Sequence, residues 1–265
     1  MEIAPARLLG LAILGRLVAV RSRGRWLARK EAEQEVQRHA MTVGPHQSLA
    51  IFDLDNTLVD RDRFFAEWTG AFIRERHLDA EVSLAILRDA DEDGAALRTL
   101  FFERVQARLG LKGPIEDLID EYWRDQMARY RCDQVTIAGL RLLRQLGYKL
   151  GIATNGGARQ IDKIKACGLD GLVDAVCVSG VVGYAKPDSR LFAAVAERCQ
   201  ASLENAWVVG DGPNTDIAGA VAIGARSIWI RRGKEWAEDG FAPTLVAESA
   251  ADAISLIVAA GTRVP

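Results

Sequence analysis

The stretch Leu49-Ala50-Ile51-Phe52-Asp53-Leu54-Asp55 constrains this chain more than any other. Four apolar residues without a polar interruption read as a strand buried on both faces, the pattern of a parallel sheet covered by helices. The strand runs straight into two carboxylates. Residues two apart on an extended chain point to the same side. Asp53 and Asp55 therefore project together from the carboxyl end of the strand, where open α/β sheets place their ligands. Like charges held there repel unless a cation or a shared proton relieves them. A plain Asp-Asn turn is the competing reading of the same residues, and the rest of the chain has to decide between the two.

Beyond Val135 the rhythm is regular. Helical patterns cover Ile137–Leu146, Arg159–Cys167, Ser189–Cys199, Thr215–Ile223 and Ala250–Ala259. Between them lie strand patterns at Lys149–Ala153, Ala175–Val178, Ala206–Val209 and Ser227–Ile230, with a short edge strand at Leu245-Val246. Strands alternating with helices of about ten residues mean βαβ units, hence an α/β fold with a doubly wound, Rossmann-like parallel sheet.

Two segments stand outside that rhythm. Residues 61–131 are nearly pure helix, with Phe64, Phe65, Trp68, Phe72 and Ile73 at helical spacing, then Leu97, Leu100, Phe101 and Val105, then a helix from Ile115 to Tyr130. That far exceeds one crossover helix, so we expect an inserted α-helical subdomain, with residues 48–60 and 132–265 forming the α/β core. Phe64, Phe65 and Trp68 read as its core, and Arg61-Asp62-Arg63 as a solvated helix start. Residues 1–47 carry eight Lys/Arg against four Glu, a surplus of four that leaves −6 for the rest of a chain whose net charge is −2. Its apolar run, Leu8 to Val20, is too short and too interrupted to span a bilayer. Peripheral membrane attachment is the lesser reading; a disordered or loosely docked helical extension, or a start at Met41, is favoured.

Three more polar groups follow strand patterns. Thr154-Asn155-Gly156-Gly157 sets a hydroxyl and an amide on a glycine turn that opens a helix, a place that offers backbone N–H groups to an anion. Lys186-Pro187 supplies a point positive charge suited to phosphate. Gly210-Asp211-Gly212-Pro213-Asn214-Thr215-Asp216 brings two carboxylates five residues apart. Each alone is ordinary turn chemistry. Their arrival on one sheet edge, in strand order, is not.

In this arrangement the sequence resembles the haloacid dehalogenase-like hydrolases, from residue 48 to about residue 260. Asp53 through Leu58 is similar to the family's first motif, Thr154-Asn155 to its second, Lys186-Pro187 to its third, and Gly210-Asp211 through Asp216 to its fourth. The helical insert resembles a cap of the type placed between the first and second motifs. Asp55, where the dehalogenase branch has Tyr, points to phosphate chemistry, and residues 61–110 contain no Lys for the Schiff base of the phosphonate-cleaving branch.

The expected activity is a phosphoric monoester hydrolase acting on a small phosphorylated metabolite. Asp53 is the expected nucleophile, forming an aspartyl-phosphate. Asp53 and Asp211 offer the hard oxygens that suit Mg²⁺, and the resemblance adds the main-chain carbonyl of Asp55. Thr154, Asn155, Gly156 and Lys186 would hold the phosphoryl oxygens. Asp55 would act as acid and then base. A free aspartate, with a pKa of about 3.9, is protonated about once in a thousand molecules at pH 7, so that role carries a cost of up to about 4 kcal/mol. Asp216 either orients Lys186 or a metal-bound water, or caps a helix. Alternatives on the same core are a sugar phosphomutase and a catalytically weak binding module.

Composition trims the field. The only histidines are His39, His46 and His77, so a Ser-His-Asp or Cys-His arrangement has little to work with. Cys132, Cys167, Cys177 and Cys199 show no metal-ligand spacing and read as small buried hydrophobes in a reducing, cytoplasmic setting. The small net charge gives no field for nucleic acid.

Overall fold

A computed structural model describes residues 48–261. The basic segment 1–47, with the membrane-attachment reading made on it, lies outside the described residues. The chain divides into two compact units, residues 60–130 and the chain on either side of them.

The larger unit is built on six parallel strands: β1 Leu49–Phe52, β2 Lys149–Thr154, β3 Ala175–Val178, β4 Trp207–Gly210, β5 Arg226–Ile230 and β6 Leu245–Ala247. Their order in the sheet is β3-β2-β1-β4-β5-β6. All four residues of β1 are buried, as a central strand covered on both faces requires. Its register sets Phe52 beside Ile152 on one flank and beside Val209 on the other. From β1 the chain winds outward through β2 and β3, then returns to β1's other flank as β4. That reversal is the switch point at which doubly wound sheets leave a crevice. Asp53, Thr154 and Asp211 stand at the carboxyl ends of the three strands that meet there.

Amphipathic helices cover both faces. Leu191, Phe192, Val195 and Cys199 of the helix Ser189–Cys199 pack with Leu49, Ile51, Cys177 and Val208. The strand offers a glycine where this helix comes closest: a Cβ at Gly151 would lie 2.2 Å from Val195 Cγ1. The helices Gln134–Gln145 and Ala250–Gly261 pack together, with Ile254 against Gly139. Aspartates cap several helices, among them Asp133, whose carboxylate accepts from the N–H groups of Val135 and Thr136. All four cysteines are buried and unpaired, and no helix among the described residues is long and apolar enough to cross a membrane.

Two details of this unit differ from the sequence reading. A four-residue helix, Ser179–Val182, occupies the loop before Lys186. The helix expected from Thr215 is a wider π-type turn over Pro213–Ile217, continued as α-helix only over Ala218–Ala222. Asp216 is buried within that turn.

The smaller unit holds four helices: Arg61–Glu75, Ala80–Asp91, Arg98–Leu109 and Ile115–Arg129. Its core is aromatic. Trp68 meets Phe72 and Tyr122 with ring centroids 4.8 and 4.9 Å apart, and Phe101 meets Phe102 edge-on at 4.7 Å. Of the expected apolar face, Phe101 and Val105 are buried, joined by Phe102, while Leu100 is exposed and Leu97, which precedes the helix as its N-cap, is 70% exposed. Arg61 corrects the reading of a solvated helix start. It is 6% exposed and paired with the equally buried Asp91, which also accepts from Arg98 at 3.1 Å. A buried guanidinium needs such a partner to offset its lost hydration.

Candidate active site

Each acid reaches the crevice through a distinct local device. Asp53 is fixed where β1 ends, its N–H donating to Val209 O of β4 at 2.9 Å. The N–H groups of Leu58 and Val59 then both reach back to Leu54 O, at 2.9 and 3.0 Å, and turn the chain sharply. Asn56 takes the left-handed conformation at φ 62° inside that turn, a position Asn tolerates better than most residues. On β4, the backbone of Asp211 is held through its carbonyl, which accepts from Trp229 Nε1 at 2.9 Å.

Lys186 joins the acids. Its Nζ donates to Asp53 Oδ1 at 2.5 Å and to Asp216 Oδ1 at 2.7 Å, all three side chains being buried. The second Asp216 oxygen accepts from Gly212 N–H at 3.0 Å. Asp216 is therefore a partner of Lys186, and its other oxygen holds the N–H of Gly212, where the following helical turn begins. Lys186 is itself positioned by Asn155, whose amide closes a two-point grip on the Lys186 peptide: Nδ2 donates to Lys186 O at 3.1 Å, and Lys186 N–H donates to Oδ1 at 2.8 Å.

Carboxylate oxygens of Asp53, Asp211 and Asp216 all lie within 4.8 Å of one another. Burial pushes the Asp53 carboxyl up, Lys186 opposes, and Asp216 and Asp211 push further in the raising direction. Burial and then Asp216 raise Asp211 to about 7, against Lys186 and Arg232. Burial works against the Lys186 ammonium, but Asp216 and Asp53 outweigh it and hold the group firmly charged. Two buried acids, Asp53 and Asp216, and the half-buried Asp211 thus face one ammonium, an excess of negative charge that a divalent cation would offset. Hard oxygen donors in a small, largely buried cluster fit Mg²⁺. Asp216 already serves Lys186 and Gly212, so Asp53 and Asp211 are the donors best placed to hold the ion.

Asp55 belongs to a second group. Its Oδ2 accepts from Lys163 Nζ at 2.8 Å and from Gln160 Nε2 at 2.9 Å. Gln160 Nε2 also donates to Thr154 Oγ1 at 2.8 Å. A carboxylate and a hydroxyl facing the same atom require the amide nitrogen there. Having accepted from Gln160, the Thr154 hydroxyl donates to Asn155 O at a long 3.5 Å, a contact that an incoming acceptor would replace.

The sequence reading therefore gathers Asp53, Lys186, Asp211 and Asp216 at one point, with Thr154 and Asp55 linked beside them. Two residues expected to hold an anion have partners within the protein. The Asn155 side chain bonds the Lys186 peptide at both ends of its amide. The Gly156 N–H donates to Ser179 Oγ at 2.9 Å, so it too is engaged within the protein. Glycine at 156 has a different reason: at φ 146°, a Cβ there would come within 2.9 Å of Gln160 Cγ. Gln160 and Lys163 escaped sequence reading. The available signal was two polar residues three apart on the helix that opens from the Thr154 turn, hence on one face.

The profile of the haloacid dehalogenase-like hydrolases matches residues 48–224. A phosphoserine phosphatase from Thermus thermophilus is 33% identical over 135 residues, which is 51% of this chain and 54% of that protein. The match thus spans about half of that relative's length. A glyceraldehyde 3-phosphate phosphatase from Pyrococcus abyssi is 29% identical over 192 residues, 69% of this chain and 81% of its own. Among solved structures, a HAD hydrolase from Bacillus subtilis bound to magnesium, YfnB, shares the fold at a TM-score of 0.64 and 22% identity, covering 77% of this chain and 96% of that one.

Proposed function

The chain belongs to the haloacid dehalogenase-like hydrolases, and we propose that it is a Mg²⁺-dependent phosphatase of small phosphomonoesters working through an aspartyl-phosphate on Asp53. One observation carries the proposal: buried Lys186 bridges buried Asp53 and Asp216, with the half-buried Asp211 in the same cluster and a second aspartate, Asp55, two residues past the first. The phosphatase relatives from T. thermophilus and P. abyssi support the substrate class.

Asp53 attacks phosphorus while the bond to the leaving alcohol breaks, and Asp55 delivers a proton to that alcohol. Asp55 then takes a proton from the water that attacks the aspartyl-phosphate, releasing phosphate and restoring Asp53. Lys186 stays charged throughout and offsets the repulsion between the Asp53 carboxylate and an approaching dianion. Asp216 and the Asn155 grip keep its ammonium aimed there, while Thr154 donates to a phosphoryl oxygen. Asp53 and Asp211, with the Asp55 carbonyl, would hold Mg²⁺, which would supply added positive charge for the transferring group. The helical insert of residues 61–131 would be the family's cap.

A panel of phosphorylated sugars, phosphoamino acids, nucleotides and simple esters, assayed for phosphate with and without Mg²⁺, tests the reading. Mg²⁺-dependent release that Asp53→Asn abolishes supports it. Isomerised product without free phosphate would replace it with a mutase.

A further inference from the structure

Lys163 is a buried ammonium that the reaction as described leaves without a task. Its side chain is 8% exposed, and lysine is rarely buried so far unless a partner compensates. The partner is Asp55, 108 residues away in sequence. Gln160 sits one turn earlier on the same helix, Arg159–Ala166, is itself 5% exposed, and reaches the same oxygen of Asp55. Residues three apart on a helix share a face, so one short helix presents two donors to a single carboxylate oxygen. Gln160 also holds the Thr154 hydroxyl. The amide thereby ties the group that protonates the alcohol to the group that grips the phosphate, and Gly156 leaves room for it by lacking a Cβ.

We infer that Gln160 and Lys163 are positioning residues for Asp55. They fix Oδ2 from two directions, which sets the rotation of the carboxylate and with it the direction in which Asp55 meets the leaving oxygen. A carboxyl free to rotate would visit that direction only part of the time. Misplacing a reacting group by about 1 Å costs on the order of a hundredfold in rate. Proton delivery itself contributes about 10² to 10⁴. The inference rests on the acid–base reading of Asp55, and the test separates the two.

Single variants of the full chain are assayed against an alkyl phosphate, whose alkoxide needs a proton to leave, and against 4-nitrophenyl phosphate, whose phenolate does not. Lys163→Met is expected to lower kcat on the alkyl ester by about 10- to 100-fold with KM little changed. On the nitrophenyl ester the loss is expected to stay below about threefold, since departure of a stable phenolate draws little on the acid. Lys163→Arg, which keeps a donor, is expected to regain part of the alkyl activity, and Lys163→Gln serves if the Met variant does not fold. Equal losses on both esters, or no loss on either, overturn the inference. Asp55→Asn is the reference. If it too loses both activities equally, the acid–base reading of Asp55 fails. If it shows the leaving-group dependence and the Lys163 variants do not, that reading stands and the positioning role falls.

Discussion

Gly210→Ala is the smallest change that should disable the site. Gly210 ends β4, and a Cβ built on it would lie 2.1 Å from Asp216 Cγ and 2.4 Å from Asp216 Oδ2. Ordinary carbon contacts begin at about 3.5 Å, so the carboxylate has to move by more than an ångström. It has nowhere favourable to go. Asp216 is 2% exposed, and its oxygens are committed to Lys186 Nζ at 2.7 Å and Gly212 N–H at 3.0 Å. Overpacking costs about 1–3 kcal/mol, and weakening a hydrogen bond to a charged group costs about 1.5–3 kcal/mol. A total of about 2.5–6 kcal/mol follows, read from the urea midpoint at constant slope. Because Lys186 loses one of its two anchors, kcat should fall about a hundredfold or more. Gly212→Ala is the control. There the new Cβ first meets the Thr215 hydroxyl at 2.0 Å, whose own bonds are long at 3.4 Å. That side chain can rotate, so the expected loss is about 1 kcal/mol or less. A Gly210→Ala protein with an unchanged midpoint and full turnover would refute the close approach and the role assigned to Asp216.

Three further outcomes are expected. Arg61→Met strands Asp91 in the helical unit with only the more distant Arg98; a loss of about 2–4 kcal/mol in urea denaturation is expected, and a neutral effect would contradict the pair. Asp174 is held below the usual carboxylate range: burial opposes, but Leu150 N–H at 2.9 Å, Lys149 and Arg144 outweigh it. A depressed folded value means that its stabilisation is present above the unfolded pKa and is lost as pH falls through the folded one. Asp174→Asn should therefore be clearly less stable than the parent at pH 7, with the gap closing below about pH 4, whereas a gap independent of pH would be inconsistent with the shift. Chelation with EDTA should abolish phosphate release while leaving the circular dichroism spectrum unchanged, with Mg²⁺ restoring turnover; activity that survives chelation would remove the metal from the account.

What the sequence discloses and what it hides divide along physical lines. Strands and glycine-marked turns are local, so the βαβ rhythm, and with it the common sheet edge of Asp53, Thr154, Lys186 and Asp211, could be read directly. Partner choice is not local. Nothing near Asn155 says that its amide will grip the Lys186 peptide, 31 residues on. The same holds for Arg61, whose charge looks solvated until Asp91 arrives from the next helix, and for Gln160 and Lys163, which look like an ordinary polar helix face. Gly156 was noticed as a turn residue, but its need to clear Gln160 appears only in three dimensions. In the third helix of the smaller unit, Leu97 fits the apolar spacing but falls at the N-cap and is exposed, while Phe102 is buried; where a helix begins is a boundary that spacing alone does not fix.

The central claim, that Asp53 carries the phosphoryl group, is tested most directly by rapid acid quench during turnover of a good substrate, followed by peptide mass mapping. The account expects one phosphoryl group on the peptide containing Asp53, labile to hydroxylamine as an acyl phosphate is, and absent in Asp53→Asn. A phosphoryl group on any other residue, or a pre-steady-state burst of alcohol with Asp53 unmodified, would contradict it.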